Sequence, residues 1–215
     1  MRPNVSVRRT LEPANPHAAA KVSDQLEGWL TGAGDKTLGG LIELFEEKSF
    51  AILFVLLLGV PALPIPTGGA THVFEVIAVL LAGQLILGRD EIWLPARWRA
   101  KPLVGEKSQR FVGALMKLIR RLEKISRPRL RFLFHHRLSN VVFGLLVIGG
   151  SVAAFFAPPF TGLDTLPALG VVLISLAVLL EDAVVAIVGF VLGGAGILLT
   201  VFLGAAAVDG LQKLV

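Results

Sequence analysis

Residues 49–88 read SFAILFVLLLGVPALPIPTGGATHVFEVIAVLLAGQLILG, two apolar runs parted by Pro61, Pro64, Pro66, Gly68 and Gly69. The twelve residues ahead of Pro61 rise about 18 Å as a helix. A bilayer core of roughly 30 Å takes about 20 residues to cross. The prolines and glycines rule out one continuous helix through both runs. Either the first helix starts upstream, with its acids at the headgroups, or 49–60 and 73–88 form a hairpin that enters the membrane and returns. Irregular backbone at membrane depth survives only when buried in protein or lining a wet cavity, because lipid cannot satisfy its N–H and C=O groups. The break at 61–72 is therefore the first candidate functional element.

The rest of the chain fits a membrane setting. Of 215 residues, 54% are hydrophobic and only 17% are charged, where soluble domains carry about 25%; the mean hydropathy is +0.73. With no cysteine and four histidines, a disulfide framework, thiolate chemistry, iron–sulfur clusters and the usual zinc sites are excluded, and neither metal nor cofactor is expected. The uncharged runs 49–74, 76–88, 138–163, 165–180 and 183–208 make five hydrophobic segments. Between Arg89 and Arg137 stand fourteen Lys or Arg against Asp90, Glu91, Glu106 and Glu123, so one central loop carries the whole positive excess. The positive-inside rule places that loop in the cytoplasm. Counting crossings from it puts the N-terminus in the cytoplasm and the C-terminus on the periplasmic side.

Four stretches follow from this division. Residues 1–34 read as a cytoplasmic tail, disordered to about residue 20 and then a short helix. Arg8 and Arg9 resemble a twin-arginine signal, but no apolar stretch follows, so a cleaved leader is not expected. Residues 35–98 hold an amphipathic lead-in, with Asp35 able to cap it and Leu38, Leu41, Ile42 and Phe45 at helical spacing, followed by the broken hairpin. Arg89, Trp93, Arg97 and Trp98 then have the chemistry of an interface anchor, indole at headgroup level and cations toward phosphate. Residues 99–137 contain a basic amphipathic helix. Its apolar stripe is Phe111, Leu115, Leu118, Leu122 and Ile125, and Arg110, Lys117, Arg120, Arg121 and Lys124 lie off it, an arrangement suited to anionic lipid. No aromatic–basic interleaving is present, so nucleic acid is not an expected partner. Residues 138–215 hold the remaining apolar runs, with Gly189 and Gly193 as a GxxxG step on the last helix.

Shifting the chain by 92 residues lays Pro66 on Pro158, His72 on Asp164, Arg89–Asp90 on Glu181–Asp182, and the run 73–88 on 165–180. Each half reads apolar helix, Pro-rich break, short apolar helix, charged pair. The expected fold is therefore an all-α polytopic membrane protein. It has two pseudo-repeated Pro-broken hairpins, a C-terminal transmembrane helix and interfacial amphipathic helices. The second break contains Pro158, Pro159 and Pro167.

Chemistry has to come from polar groups in apolar surroundings, and these are His72, Glu75, Gln84, Asp164, Glu181 and Asp182. An ionisable side chain within a membrane segment is a functional candidate by default. For Glu181 and Asp182 a place at the water interface is the plainer reading. For Gln84 it is a hydrogen bond across the bundle.

The stretches LPIPTGG (63–69), QLILGR (84–89) with WLP (93–95), and LPAL (166–169) followed by Glu181–Asp182 resemble the ExoD family of bacterial exopolysaccharide-synthesis membrane proteins, over about residues 35–205. Where the family pattern has glycine after the second acid, this chain has Ala183. The resemblance implies a multi-pass bacterial inner-membrane protein connected with exopolysaccharide production. Two mechanisms stand beside each other. In one, a transporter-like protein moves an ion or lipid-linked intermediate where the two breaks meet. In the other, a non-catalytic accessory subunit organises polysaccharide-synthesis proteins or a homo-oligomer through its basic helix. No nucleotide loop, GxSxG, HExxH or DxD-type pair is present, so an enzyme is not expected.

Overall fold

The computed structural model describes residues 21–34, 36–45, 48–63, 71–89, 91–103, 106–127, 136–157 and 162–212. Among these residues the chain is helical with no strand, and an antiparallel bridge joins Thr37 to Pro102. The described helices are α1 Val22–Thr31, α2 Leu38–Phe45, α3 Ser49–Gly59, α4 His72–Ile86, α5 Ala96–Arg99, α6 Glu106–Ile125, α7 Arg137–Phe156, α8 Thr165–Leu180 and α9 Ala183–Gln212. Residues 1–20, expected as a tail, lie outside the described residues, as do Asp35, Pro64, Pro66, Gly68, Gly69, Pro158 and Pro159. α2 is capped by Thr37, whose hydroxyl accepts the Gly40 N–H at 3.2 Å.

Beyond Ser49, α3 is apolar on every side, the pattern of a helix surrounded by protein. Residues 50–55 and Leu58 are all buried, and α2, α4 and α8 pack around them. Lys48, just before α3, meets Glu181, just after α8, so these two helices run antiparallel. α4 and α7 are antiparallel too, because Gly144 abuts Ile86 while His72 stacks near Phe155 with ring centroids 4.8 Å apart. The five apolar helices thus alternate in direction, with the joins to the basic loop at one end and the Pro-containing breaks at the other.

α8 and α9 pack backbone to backbone. A Cβ at Gly170 would lie 2.3 Å from Gly193 Cα, and one at Gly189 would lie 2.8 Å from Ile174 N. The GxxxG step is consumed inside the bundle. α7 and residues Ala183–Ala206 of α9 are long and apolar enough to cross a membrane, whereas α3, α4 and α8 are shorter. Leu80 on α4, Leu138 and Leu145 on α7, and Ile187, Leu198 and Phe202 on α9 stand exposed. An apolar belt of this extent is unusual on a water-facing surface.

At the basic end α1 lies against α6. Ser23 N–H donates to Glu123 at 2.9 Å, and Arg120 pairs with Glu27. Here the apolar face of the amphipathic helix meets protein, and Lys117, Arg121 and Lys124 on its basic face stay exposed. Its inner face is Leu115, Met116 and Ile119, all buried against protein, and of the predicted stripe Ile125 is exposed. The short α1 supplies the apolar surface that lipid was expected to provide. Arg99 pairs with Glu43 at 3.2 Å, bringing α5 onto α2.

The α8–α9 junction is built from charged groups. Glu181 adopts a left-handed backbone (φ 55°), a conformation costly for a residue with a Cβ. Lys48 Nζ holds it at 2.8 Å and also donates to the Leu179 carbonyl at 3.2 Å, covering the exposed end of α8. Asp182 opens α9. One carboxylate oxygen accepts the Val184 N–H at 2.8 Å and the other the Arg127 N–H at 2.9 Å, which ties the end of α6 to the bundle. Burial alone would push the Asp182 carboxyl up, but the Arg127 and Val184 backbone donors outweigh it and hold it below the usual carboxylate range. The tight turn therefore forms without a glycine at position 183, because Glu181 takes the left-handed position.

Two outcomes are expected from thermal unfolding in detergent, followed by circular dichroism. Gly170→Ala should destabilise the protein by about 1–3 kcal/mol through overpacking. Gly194→Ala, where the added methyl meets open space, should be neutral or gain up to about 1 kcal/mol. Asp182→Asn retains the capping geometry and removes the charge. Because the folded carboxyl titrates below its unfolded value of about 3.9, its charge stabilises the fold fully above that value. That increment is lost as pH falls through the lowered value. Wild type should exceed the variant in stability at neutral pH and converge with it in acid; parallel curves would contradict the assignment.

Candidate functional site

At the end of the bundle opposite the basic loop, the first turn of α4 carries His72 and Glu75. Helical spacing puts residues three apart on one face, and His72 Nδ1 lies 2.8 Å from Glu75 Oε2. The imidazole is 32% exposed, whereas the carboxylate is 1% exposed. The pair therefore reaches from the surface into the α4–α7 seam. Glu75 N–H bonds the Thr71 carbonyl at 3.2 Å, and the Thr71 side chain also bonds the carboxylate. The other carboxylate oxygen, Oε1, is buried without a hydrogen-bond partner. Such an atom is costly in apolar surroundings.

Asp164 stands immediately before α8 and is close enough for its charge to act on Glu75. The structure thus gathers His72, Glu75 and Asp164 from the starts of α4 and α8, the two helices that follow the breaks. Phe155 of α7 closes over the imidazole.

The remaining candidates lie elsewhere. Gln84 is a clamp: its Oε1 accepts the Trp93 N–H at 2.8 Å and its Nε2 donates to the Trp93 carbonyl at 3.2 Å, fastening the turn after α4. Both ends of the Gln84 amide are thus occupied by the Trp93 backbone, within the turn and not across the bundle. Gly88 (φ 74°) makes that turn, with the Arg137 guanidinium beside it. Glu181 and Asp182 form the α8–α9 junction at the opposite end from Glu75.

Pro61 is buried in the turn that ends α3. Pro167 breaks no helix: it sits in the first turn of α8, where its missing N–H leaves no bond unmade. Arg89, Trp93, Arg97, Lys117, Arg121 and Lys124 are exposed. Trp98 is half-buried with Lys101 Nζ 5.1 Å from its ring centroid, and the Arg110 side chain lies outside the described residues. Among the described residues no group of three or more His, Asp or Glu is placed to hold a metal ion.

Two buried polar residues at the site, Thr71 and Ser151, escaped the sequence reading. Ser151 of α7 is fully buried, and its Oγ has no hydrogen-bond partner. Its signal was a lone hydroxyl on the same helical face as Gly144 and Phe155.

The chain matches the family described as "Exopolysaccharide synthesis, ExoD" over residues 22–202. It is 34% identical over 167 residues to an uncharacterized protein of Synechocystis sp. (strain ATCC 27184 / PCC 6803 / Kazusa), covering 78% of this chain and 74% of that protein. It is 29% identical over 172 residues to Protein ExoD of Rhizobium meliloti (strain 1021), covering 79% of this chain and 71% of that protein. No solved structure matches. The LPIPTGG, QLILGR and LPAL motifs all lie within the matched span, and the chain belongs to the ExoD family.

Proposed function

We propose that this chain is a multi-pass bacterial inner-membrane protein of exopolysaccharide synthesis or export, and that it moves an ion or a lipid-linked intermediate at the cluster of His72, Glu75 and Asp164. Family membership implies the part in exopolysaccharide synthesis. The observation that carries the transport-like reading is Glu75: a carboxylate 1% exposed, paired on one oxygen with a partly exposed histidine and unpartnered on the other. A buried ionisable group of this kind is expensive to keep unless it works.

Two features support the reading. α3–α4 and α7–α8 are each an outward helix, a Pro-containing break and a returning helix, the arrangement of an internal repeat that builds a site from interrupted segments. In this topology the short α3 and α8 enter the bilayer inside a shell completed by α4, α7 and α9. The N-terminus and the basic loop face the cytoplasm, with Lys117, Arg121 and Lys124 toward anionic headgroups.

The test is complementation of a deletion strain, with secreted polysaccharide measured and membrane abundance followed by immunoblot. Glu75→Gln and Asp164→Asn should accumulate like wild type and leave secretion at the level of the deletion strain. Full secretion from both variants would move the activity away from this cluster. Loss of secretion on charge reversal at Arg121 and Lys124 alone would then favour the accessory-subunit reading.

A further inference from the structure

α4 and α7 are anchored to one another at two levels, Gly144 against Ile86 and Ala82, and Phe155 against His72. On α7, Ser151 lies one turn from Phe155 and two turns from Gly144, on the same face. On α4, Glu75 lies two turns from Ala82 and three from Ile86, again on one face. The antiparallel register set by the two anchors therefore brings Ser151 across the seam from Glu75. Each of the two residues ends in a buried oxygen with no hydrogen-bond partner, Glu75 Oε1 and Ser151 Oγ.

Two facing oxygens without partners mark a place for something that supplies a donor. A metal ion needs more ligands than this seam holds, and among the described residues His72, Glu75 and Asp164 are not placed to hold one together. A proton needs only what is there. The groups facing Glu75 are few: His72 on its own helix, Thr71 before it, Asp164 ahead of α8, and Ser151 and Phe155 from α7. α3 carries no titratable side chain, and the titratable residue of α7, Arg137, stands at the opposite end.

We propose that His72, Glu75 and Ser151 form a proton-binding site, His72 its water-facing entrance, Glu75 its buried acceptor and Ser151 the residue that positions Oε1. This deepens the transport-like reading by naming the ion. In the loading step hydronium on the water-facing side gives a proton to His72 Nε2, its O–H bond breaking to leave water. The Nδ1–H bond breaks and its proton forms an O–H bond on Glu75 Oε2. The imidazole ends neutral, as the other tautomer, and Glu75 ends as a neutral acid that still bonds Nδ1. Oε1 becomes a carbonyl oxygen, and the Ser151 hydroxyl turns to donate to it. Reversal returns the proton.

The test is pH-difference infrared spectroscopy on the full chain in lipid nanodiscs, reading the stretch of a protonated carboxyl. On acidification wild type should show, beside the bands of its exposed acids, a separate band of a buried carboxyl, and Glu75→Gln should lack that band. Ser151→Ala should shift it to higher frequency, because a carbonyl that loses a hydrogen bond stiffens. Asp164→Asn should keep the band and move its midpoint. A band unchanged by Glu75→Gln, or one erased when sodium chloride replaces choline chloride, overturns the proposal. If Glu75→Gln fails to assemble, assembled Ser151→Ala decides alone, and an unshifted band overturns it. The spectrum reads the proton and complementation reads secretion, so a Glu75-dependent band with normal secretion in Glu75→Gln sinks the transport-like reading while the proton site stands.

Discussion

An eleven-residue helix with no polar side chain beyond its first residue has nowhere to go except the middle of the protein, and the rest of this structure follows from satisfying α3. Its faces are covered by α2, α4 and α8. Covering a helix on all sides consumes neighbours. α8 is spent mostly inward, and α9 can close over it only where glycines let the backbones touch. The helices left with an outer face, α4, α7 and α9, carry the exposed valines, leucines and phenylalanines. The same shortness forces the chain to turn soon after residue 59, which leaves the starts of α4 and α8 at one end of the bundle.

The two ends of the bundle treat charge in opposite ways. At the basic end charged groups are matched: Lys48 with Glu181 and the last carbonyls of α8, Asp182 with two backbone donors, Arg99 with Glu43, Arg120 with Glu27. These pairs join helices, and removing a partner there loosens a joint. At the other end Glu75 has one matched oxygen and one unmatched, with a second carboxylate close enough to be felt. Structural polar groups are normally satisfied. Among the described residues the unpartnered buried oxygens belong to Glu75, Ser126 and Ser151, and the ionisable one, on Glu75, is where chemistry has room to happen.

Much of the fold was legible in the chain. The five apolar runs became α3, α4, α7, α8 and α9, because uncharged runs bounded by charge or proline are a local signal; the runs 49–74 and 138–163 overran their helices, which end at Gly59 and Phe156 ahead of the prolines, and α9 continues past its run to Gln212. The basic helix was visible from its periodicity, but not what it lies on. Its apolar stripe would bind lipid or protein equally well, and the presence of α1 decided for protein. Among the candidate residues, Glu75 and Asp164 stood out as isolated charges in apolar runs, and the structure brings them near each other. Gln84 stood out for the same reason and proved to be a clamp, since a polar side chain at the end of a run can face inward or cap its own turn.

The amino-acid sequence by itself determined the class of the protein, the number and order of its apolar helices, the position of the breaks, the asymmetry of charge and the family. All of these rest on composition and local spacing, which need no knowledge of neighbours. Tertiary structure alone decided that the shortest of the five apolar-run helices sits innermost, that the GxxxG face of α9 is used within the chain, and that Ser151 faces Glu75 across a seam. Those are statements about which surfaces meet. Residues 75 and 151 are linked by no local pattern, and only the antiparallel docking of α4 on α7, set by Gly144 and Phe155, places two unpartnered oxygens at one level.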